Sequence, residues 1–148
     1  MKYMGTIAEA EHLLSEQNIG RLGIYSEVYP YVIPMCYVYY KRCIFIHSKP
    51  VGKKIDLIRN NSKVCFQVDK VNELRAPDSP CNYGFTYRSA IVYGTIEEVN
   101  AYDEKLEALI AITEVYAKSY NVQMIEDNMD GVVVMKINVD EVSVKVNH

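Results

Sequence analysis

The stretch from Ile44 to Asn61, IFIHSKPVGKKIDLIRNN, sets His47 and Ser48 at the end of an apolar run. It sets Gly52, Lys53 and Lys54 at the start of a helix-forming segment. Two lysines in a first helical turn oppose the macrodipole, whose N-terminus already carries partial positive charge. A bound anion would turn that conflict into an attraction. The residue types suit a phosphate: glycine allows close approach to backbone N–H groups, and lysine supplies a compact charge. The Ser48 hydroxyl and either His47 ring nitrogen can donate to a phosphate oxygen. Read locally, the same residues also suit a surface turn with solvated lysines.

Two further segments carry polar chemistry. Arg88 and Ser89 lie at the start of a strand-forming run, where a guanidinium can pair bidentately with phosphate. A solvated arginine on an edge strand fits them too. Ile33, Pro34, Met35 and Cys36 form the third candidate. Pro34 has no N–H, so nearby backbone groups are left free to bond a heterocycle. An ordinary strand start is the plain alternative. The chain holds 13 tyrosines against three phenylalanines and no tryptophan. Tyr25, Tyr29, Tyr31, Tyr37, Tyr39 and Tyr40 cluster early, suited to packing or dimer contacts, with one or two able to stack on a planar ligand. No Ser-His-Asp order, paired-carboxylate motif, Walker loop or G-x-G-x-x-G is present, so hydrolase and nucleoside-triphosphate chemistry lack support. No residue is assigned a catalytic role.

These residues need a scaffold, and length and composition bound it. A chain of 148 residues, 49% apolar and 24% charged, reads as one domain over residues 1–148 with a sizeable core. The net charge of −3 and scattered basic residues exclude a polyanion-binding face, so no nucleic-acid partner is expected. Four cysteines form no C-x-x-C pair, and only three histidines accompany them, so no metal site is expected. No run reaches membrane-spanning length and the N-terminus lacks a secretory core. A cytoplasmic protein with reduced thiols is the expectation.

Thr6 and Glu9 form a capping box ahead of Ile7, Ala10, Leu13 and Leu14 at helical spacing. Residues 19–48 predict a meander of three strands, with Pro34 marking an edge or an interrupted ladder. Residues 51–60 predict a short helix, 63–70 a strand, 71–84 a long loop, and 87–99 a strand bent at Gly94. Residues 101–120 predict the clearest helix, and 131–147 one or two closing strands. The inventory is mainly β: six or seven antiparallel strands and three helices. Short strands in that number suggest a small β-barrel with flanking helices.

The order of the pieces is more specific than any one of them. IPMCYVYY, then IFIHSKPVGKKIDLIRNNSKVCFQVD, then YRSAIVYGTIEEV and EKLEALIAITEVYA resemble the FMN-binding split-barrel family related to pyridoxamine 5′-phosphate oxidase. Within it, the chain resembles the nitroimidazole-resistance (Nim-type) branch. The resemblance covers Gly5 to Val146. It implies a six-stranded antiparallel split barrel that forms a homodimer with FMN at the subunit interface. Ile33, Pro34, Met35 and Cys36 would line the isoalloxazine, and His47 and Ser48 the ribityl–phosphate part. Lys53 and, above it, Lys54 would hold the phosphate. Arg88 and Ser89 would complete the pocket. The implied activity is an oxidoreductase reducing a small, electron-poor molecule such as a nitroimidazole. The alternative is a non-catalytic flavin- or haem-binding carrier or sensor. The C-terminal substrate residues of pyridoxamine 5′-phosphate oxidases have no match in VDEVSVKVNH, which argues against that specific activity.

Overall fold

The computed structural model describes residues 2–148. Along the chain run β1 (Lys2–Met4), α1 (Ile7–Glu16), β2 (Ile19–Ile24), β3 (Tyr31–Cys36), β4 (Val38–Tyr40) and β5 (Cys43–Ser48). There follow α2 (Lys53–Asn60), β6 (Lys63–Arg75), β7 (Gly84–Glu98), α3 (Tyr102–Tyr116), α4 (Val122–Asn128) and β8 (Val133–Asn147). The expected capping box opens α1: Glu9 N–H donates to Thr6 Oγ1 at 3.2 Å, and Thr6 N–H to Glu9 Oε2 at 2.6 Å.

All pairings are antiparallel, in the order β3-β2-β6-β7-β8-β5-β4, with β1 added to β8. The mainly β fold with flanking helices is therefore as expected, but among the described residues the sheet has eight strands, against the six or seven of the inventory and the six the resemblance implies. One added strand is β1. Another arises because the run VIPMCYVYY, read as a single strand, divides at Tyr37.

That division shapes the sheet. β3 and β4 stand at opposite ends of the strand order, yet one residue separates them in the chain. The sheet must therefore curl until its two edges meet at Tyr37. Tyr37 is buried there; its N–H donates to Asn18 O at 3.2 Å and its hydroxyl to Leu14 O at 2.6 Å. Its ring meets Phe66 edge-on at 4.9 Å between centroids, a favourable arrangement for aromatic quadrupoles. Pro34 sits on the edge strand β3, where no second neighbour needs its missing N–H.

The curled sheet encloses Leu22, Ile44, Ile46, Phe66, Val68, Val92, Ile137 and Val144, and α1 adds Ala10, Leu13 and Leu14 to this interior. On the other side of the wall, α3 buries Ala108, Leu109 and Ile112 against Phe45 and Val134. The helix expected over 101–120 ends at Tyr116, and α4 follows it, opened by Asn121, whose side chain accepts from Gln123 N–H at 2.8 Å. A fourth helix thus follows beyond the predicted third, in a stretch to which the sequence reading gave no element.

The loop expected over 71–84 keeps its middle, 76–83, outside the strands, but its two ends are ladder. β6 and β7 continue pairing through Glu73–Thr86, Leu74–Phe85 and Arg75–Gly84, past a register shift between Val71 and Glu73. β8 pairs with β7 only from Tyr87 onward, so this end of the hairpin projects as a two-stranded arm. Gly94 marks a second shift, as its bend predicts.

Candidate functional site

A cleft of about 500 Å³ opens between β3 and the segment running from β5 into α2. Its walls are Tyr31, Ile33, Pro34 and Met35 on one side and Ser48, Lys49, Val51, Gly52, Lys53 and Lys54 on the other. Six of the ten residues singled out in the sequence meet here: Ile33, Pro34, Met35, Ser48, Lys53 and Lys54.

The start of α2 supplies the cleft's polar character. Gly52 is the N-cap, with φ 139° and no side-chain hydrogen bond to the first turn. That φ lies where side chains are strongly disfavoured, which requires glycine. The first-turn N–H groups are therefore uncapped by any side chain and lie beside two lysines. Lys54 is half-buried and Lys53 exposed, with its ammonium 4.6 Å from the Tyr31 ring centroid. Among the described residues, Lys49, Lys53 and Lys54 have no carboxylate partner, as is also true of Lys63, Lys105, Lys118, Lys145, Arg42 and Arg75, whereas Lys41, Lys70, Lys136, Arg21, Arg59 and Arg88 have one. Ser48 is buried, and its hydroxyl donates to Lys49 O at 2.7 Å, leaving its oxygen lone pairs toward further donors. Donation to a phosphate would require that hydroxyl to rotate.

The other four lie elsewhere in the chain. His47 follows the parity of Phe45, on the outer side of β5, while Ser48 follows Ile44 and Ile46 on the inner side. Desolvation, then the charge of nearby Lys54, hold the His47 imidazole below its ordinary pKa. Cys36 is an exposed free thiol at the end of β3. Arg88 follows Ala90 and Val92 on the inward face and pairs with Glu16 at 2.9 Å. Glu16 also bonds Lys70, and this contact, opposed in part by burial and aided by Arg88, lowers its carboxyl pKa. Ser89 points to the opposite, outward face. The cleft also recruits Tyr31, which had been placed only within the tyrosine cluster. Its parity with Ile33 and Met35 was the available signal.

A phosphate fits this arrangement: an uncapped helix start at a glycine, unpaired lysines, and apolar β3 side chains beyond them for a planar ring.

Three comparisons bear on the chain. A family model described as pyridoxamine 5′-phosphate oxidase matches residues 6–146. No curated protein matches the sequence. A candidate 5-nitroimidazole antibiotic resistance protein from Bacteroides thetaiotaomicron is 27% identical, with TM-score 0.80 over 99% of this chain and 87% of that one. A FAD-binding protein from Mesorhizobium loti is 25% identical, with TM-score 0.74 over 98% of this chain and 96% of that one. The FAD and haem binding protein from Mycobacterium smegmatis shares the fold, at TM-score 0.81 and 14% identity, over 99% of this chain and 73% of that one.

Proposed function

The chain belongs to the pyridoxamine 5′-phosphate oxidase family, and on that ground we propose that it is an FMN-dependent oxidoreductase reducing a small, electron-poor compound such as a nitroimidazole. The observation that carries this reading is the uncapped start of α2 with its unpaired lysines, facing the β3 wall. Lys54 and the first-turn amides would hold the phosphate, and Ile33, Pro34 and Met35 would flank the ring system. Bound flavin supplies reversible two-electron chemistry, while the protein sets its position and surroundings. The likeness to the Bacteroides protein supports the nitroimidazole-resistance branch.

The proposed partner is a second copy of the chain. Along β7, Tyr87, Ser89, Ile91 and Tyr93 share the outward face with Cys65, Gln67, Asp69 and Val71, and Leu74 and Phe85 extend it as an apolar end along the arm. Val71, Leu74 and Phe85 are 54%, 56% and 52% exposed. The solvent face of an antiparallel sheet is ordinarily polar, and an isolated two-stranded hairpin is marginal in water. Both features suit burial against a twin subunit. Arg88 would stay with Glu16.

The test is a titration of purified protein with FMN, FAD and haem, followed by anaerobic reduction with NAD(P)H and reoxidation by a 5-nitroimidazole. Tight FMN binding and nitro-dependent reoxidation support the reading. A bound flavin that NAD(P)H does not reduce favours the carrier, and protein that stays colourless with all three sinks the flavin assignment.

A further inference from the structure

Tyr31 lines the cleft as the first residue of β3. Its ring packs against the barrel interior, and the Lys53 ammonium lies 4.6 Å from the ring centroid. A cation at that range is drawn to the negative face of the ring. Lys53 is exposed and, among the described residues, has no carboxylate partner to direct it. A lysine without a tether spreads over many rotamers, so ordering it on a ligand costs entropy. The tyrosine ring provides the tether inside the cleft itself. The same geometry speaks against a second role for Tyr31. A planar ligand stacking on this ring would have to expel the ammonium from it.

We infer that Tyr31 is a positioning residue: its ring holds the Lys53 ammonium in the cleft for the ligand's phosphate and does not stack on the flavin ring. The inference rests on the FMN reading above. It assigns the two lysines different supports, because Lys54 is held by its own half-buried place in α2 and Lys53 by a residue from a distant strand.

The experiment compares FMN with riboflavin, which has the ring and ribityl chain but no phosphate. Their affinity ratio isolates the phosphate contribution. Both are titrated by flavin fluorescence into wild type, Tyr31→Leu, Tyr31→Phe, Lys53→Met and the Tyr31→Leu/Lys53→Met double variant. Tyr31→Leu is expected to weaken FMN about fivefold and leave riboflavin within about twofold. Tyr31→Phe keeps the ring face and is expected to retain wild-type affinity. The double variant should bind FMN no more weakly than Lys53→Met, because one residue acts through the other. If Tyr31→Leu fails to fold, Tyr31→Met, of similar length and without a ring, is read by the same ratio. Riboflavin weakening in step with FMN would mark a stacking surface and overturn the inference, as would additive losses in the double variant. Wild type that binds neither flavin overturns the FMN reading itself; wild type that binds FMN with an unmoved ratio in the Tyr31 variants overturns the positioning role alone.

Discussion

Lys54 and His47 are neighbours across the turn from β5 to α2, and the charge of Lys54 acts on His47. Lys54→Ala removes a charge from the cleft without touching the core, and FMN affinity is expected to fall about tenfold, the worth of about 1.4 kcal/mol. The melting temperature of the flavin-free protein should stay within about 1 °C, and scanning calorimetry checks it. The same substitution removes the second of the two influences that lower the His47 pKa. The imidazole resonance followed by NMR should therefore titrate closer to its ordinary value in the variant. The stability consequence follows in sign. The folded protein disfavours protonated His47, so the unfolded chain binds the proton more readily, and stability falls as pH drops from about 6.5 through the folded value. In His47→Gln, urea midpoints between pH 7 and pH 5 should decline less than in wild type. A slope identical to wild type would mean that His47 does not carry the effect.

The hairpin joining β4 to β5 shows what an element costs when its turn residues are unsuited. Lys41 and Arg42 are its two central residues, and both have positive φ, 50° and 62°. Such a primed turn matches strand twist but favours Asn-Gly, since other side chains crowd the following carbonyl. Arg42→Gly is expected to raise stability by about 1 kcal/mol in urea unfolding, because the strain is removed while Lys41 keeps Glu107. Gly94 is the reverse case. A Cβ there would fall 2.0 Å from Asn138 O on β8, so Gly94→Ala should destabilise the fold by about 3 kcal/mol or more, measured the same way. The bend at Gly94 was legible in the sequence because glycine inside a strand pattern signals it. The arm over 71–86 was not, because Pro77 and Pro80 in APDSP and the exposed polar residues imitate a loop. Pairing across β6 and β7, from Glu73–Thr86 through Leu74–Phe85 to Arg75–Gly84, makes its ends a ladder.

At the scale of the molecule, the curled sheet is joined at one edge by covalent continuity through Tyr37 rather than by a ladder between β3 and β4. Tyr37→Phe retains the ring against Phe66 but leaves the buried Leu14 carbonyl without its donor. A loss of about 1–2 kcal/mol is expected from denaturant unfolding. The apolar arm end of the outward face, with Val71, Leu74 and Phe85 exposed, belongs to this scale too. If the proposed dimer forms through this face, Phe85→Asp combined with Leu74→Asp converts it to a monomer in analytical ultracentrifugation and weakens FMN with it. A dimer that survives both charges would put the subunit contact elsewhere. No helix among the described residues is long and apolar enough to cross a membrane.

The sequence alone determined what is local or periodic: the α1 capping box, the alternation at the start of β6, the bend at Gly94, and the glycine–lysine start of α2. Each rests on neighbours within a few residues, where backbone geometry and side-chain spacing leave few choices. Tertiary structure decided what depends on pairs far apart in the chain. It divided one apolar run at Tyr37 into strands at opposite ends of the sheet, and it placed Tyr31 under Lys53. It also turned Arg88 toward Glu16, away from the cleft. Those outcomes are set by register and by which face each strand presents, and a one-residue change in either sends a side chain to the opposite side of the wall.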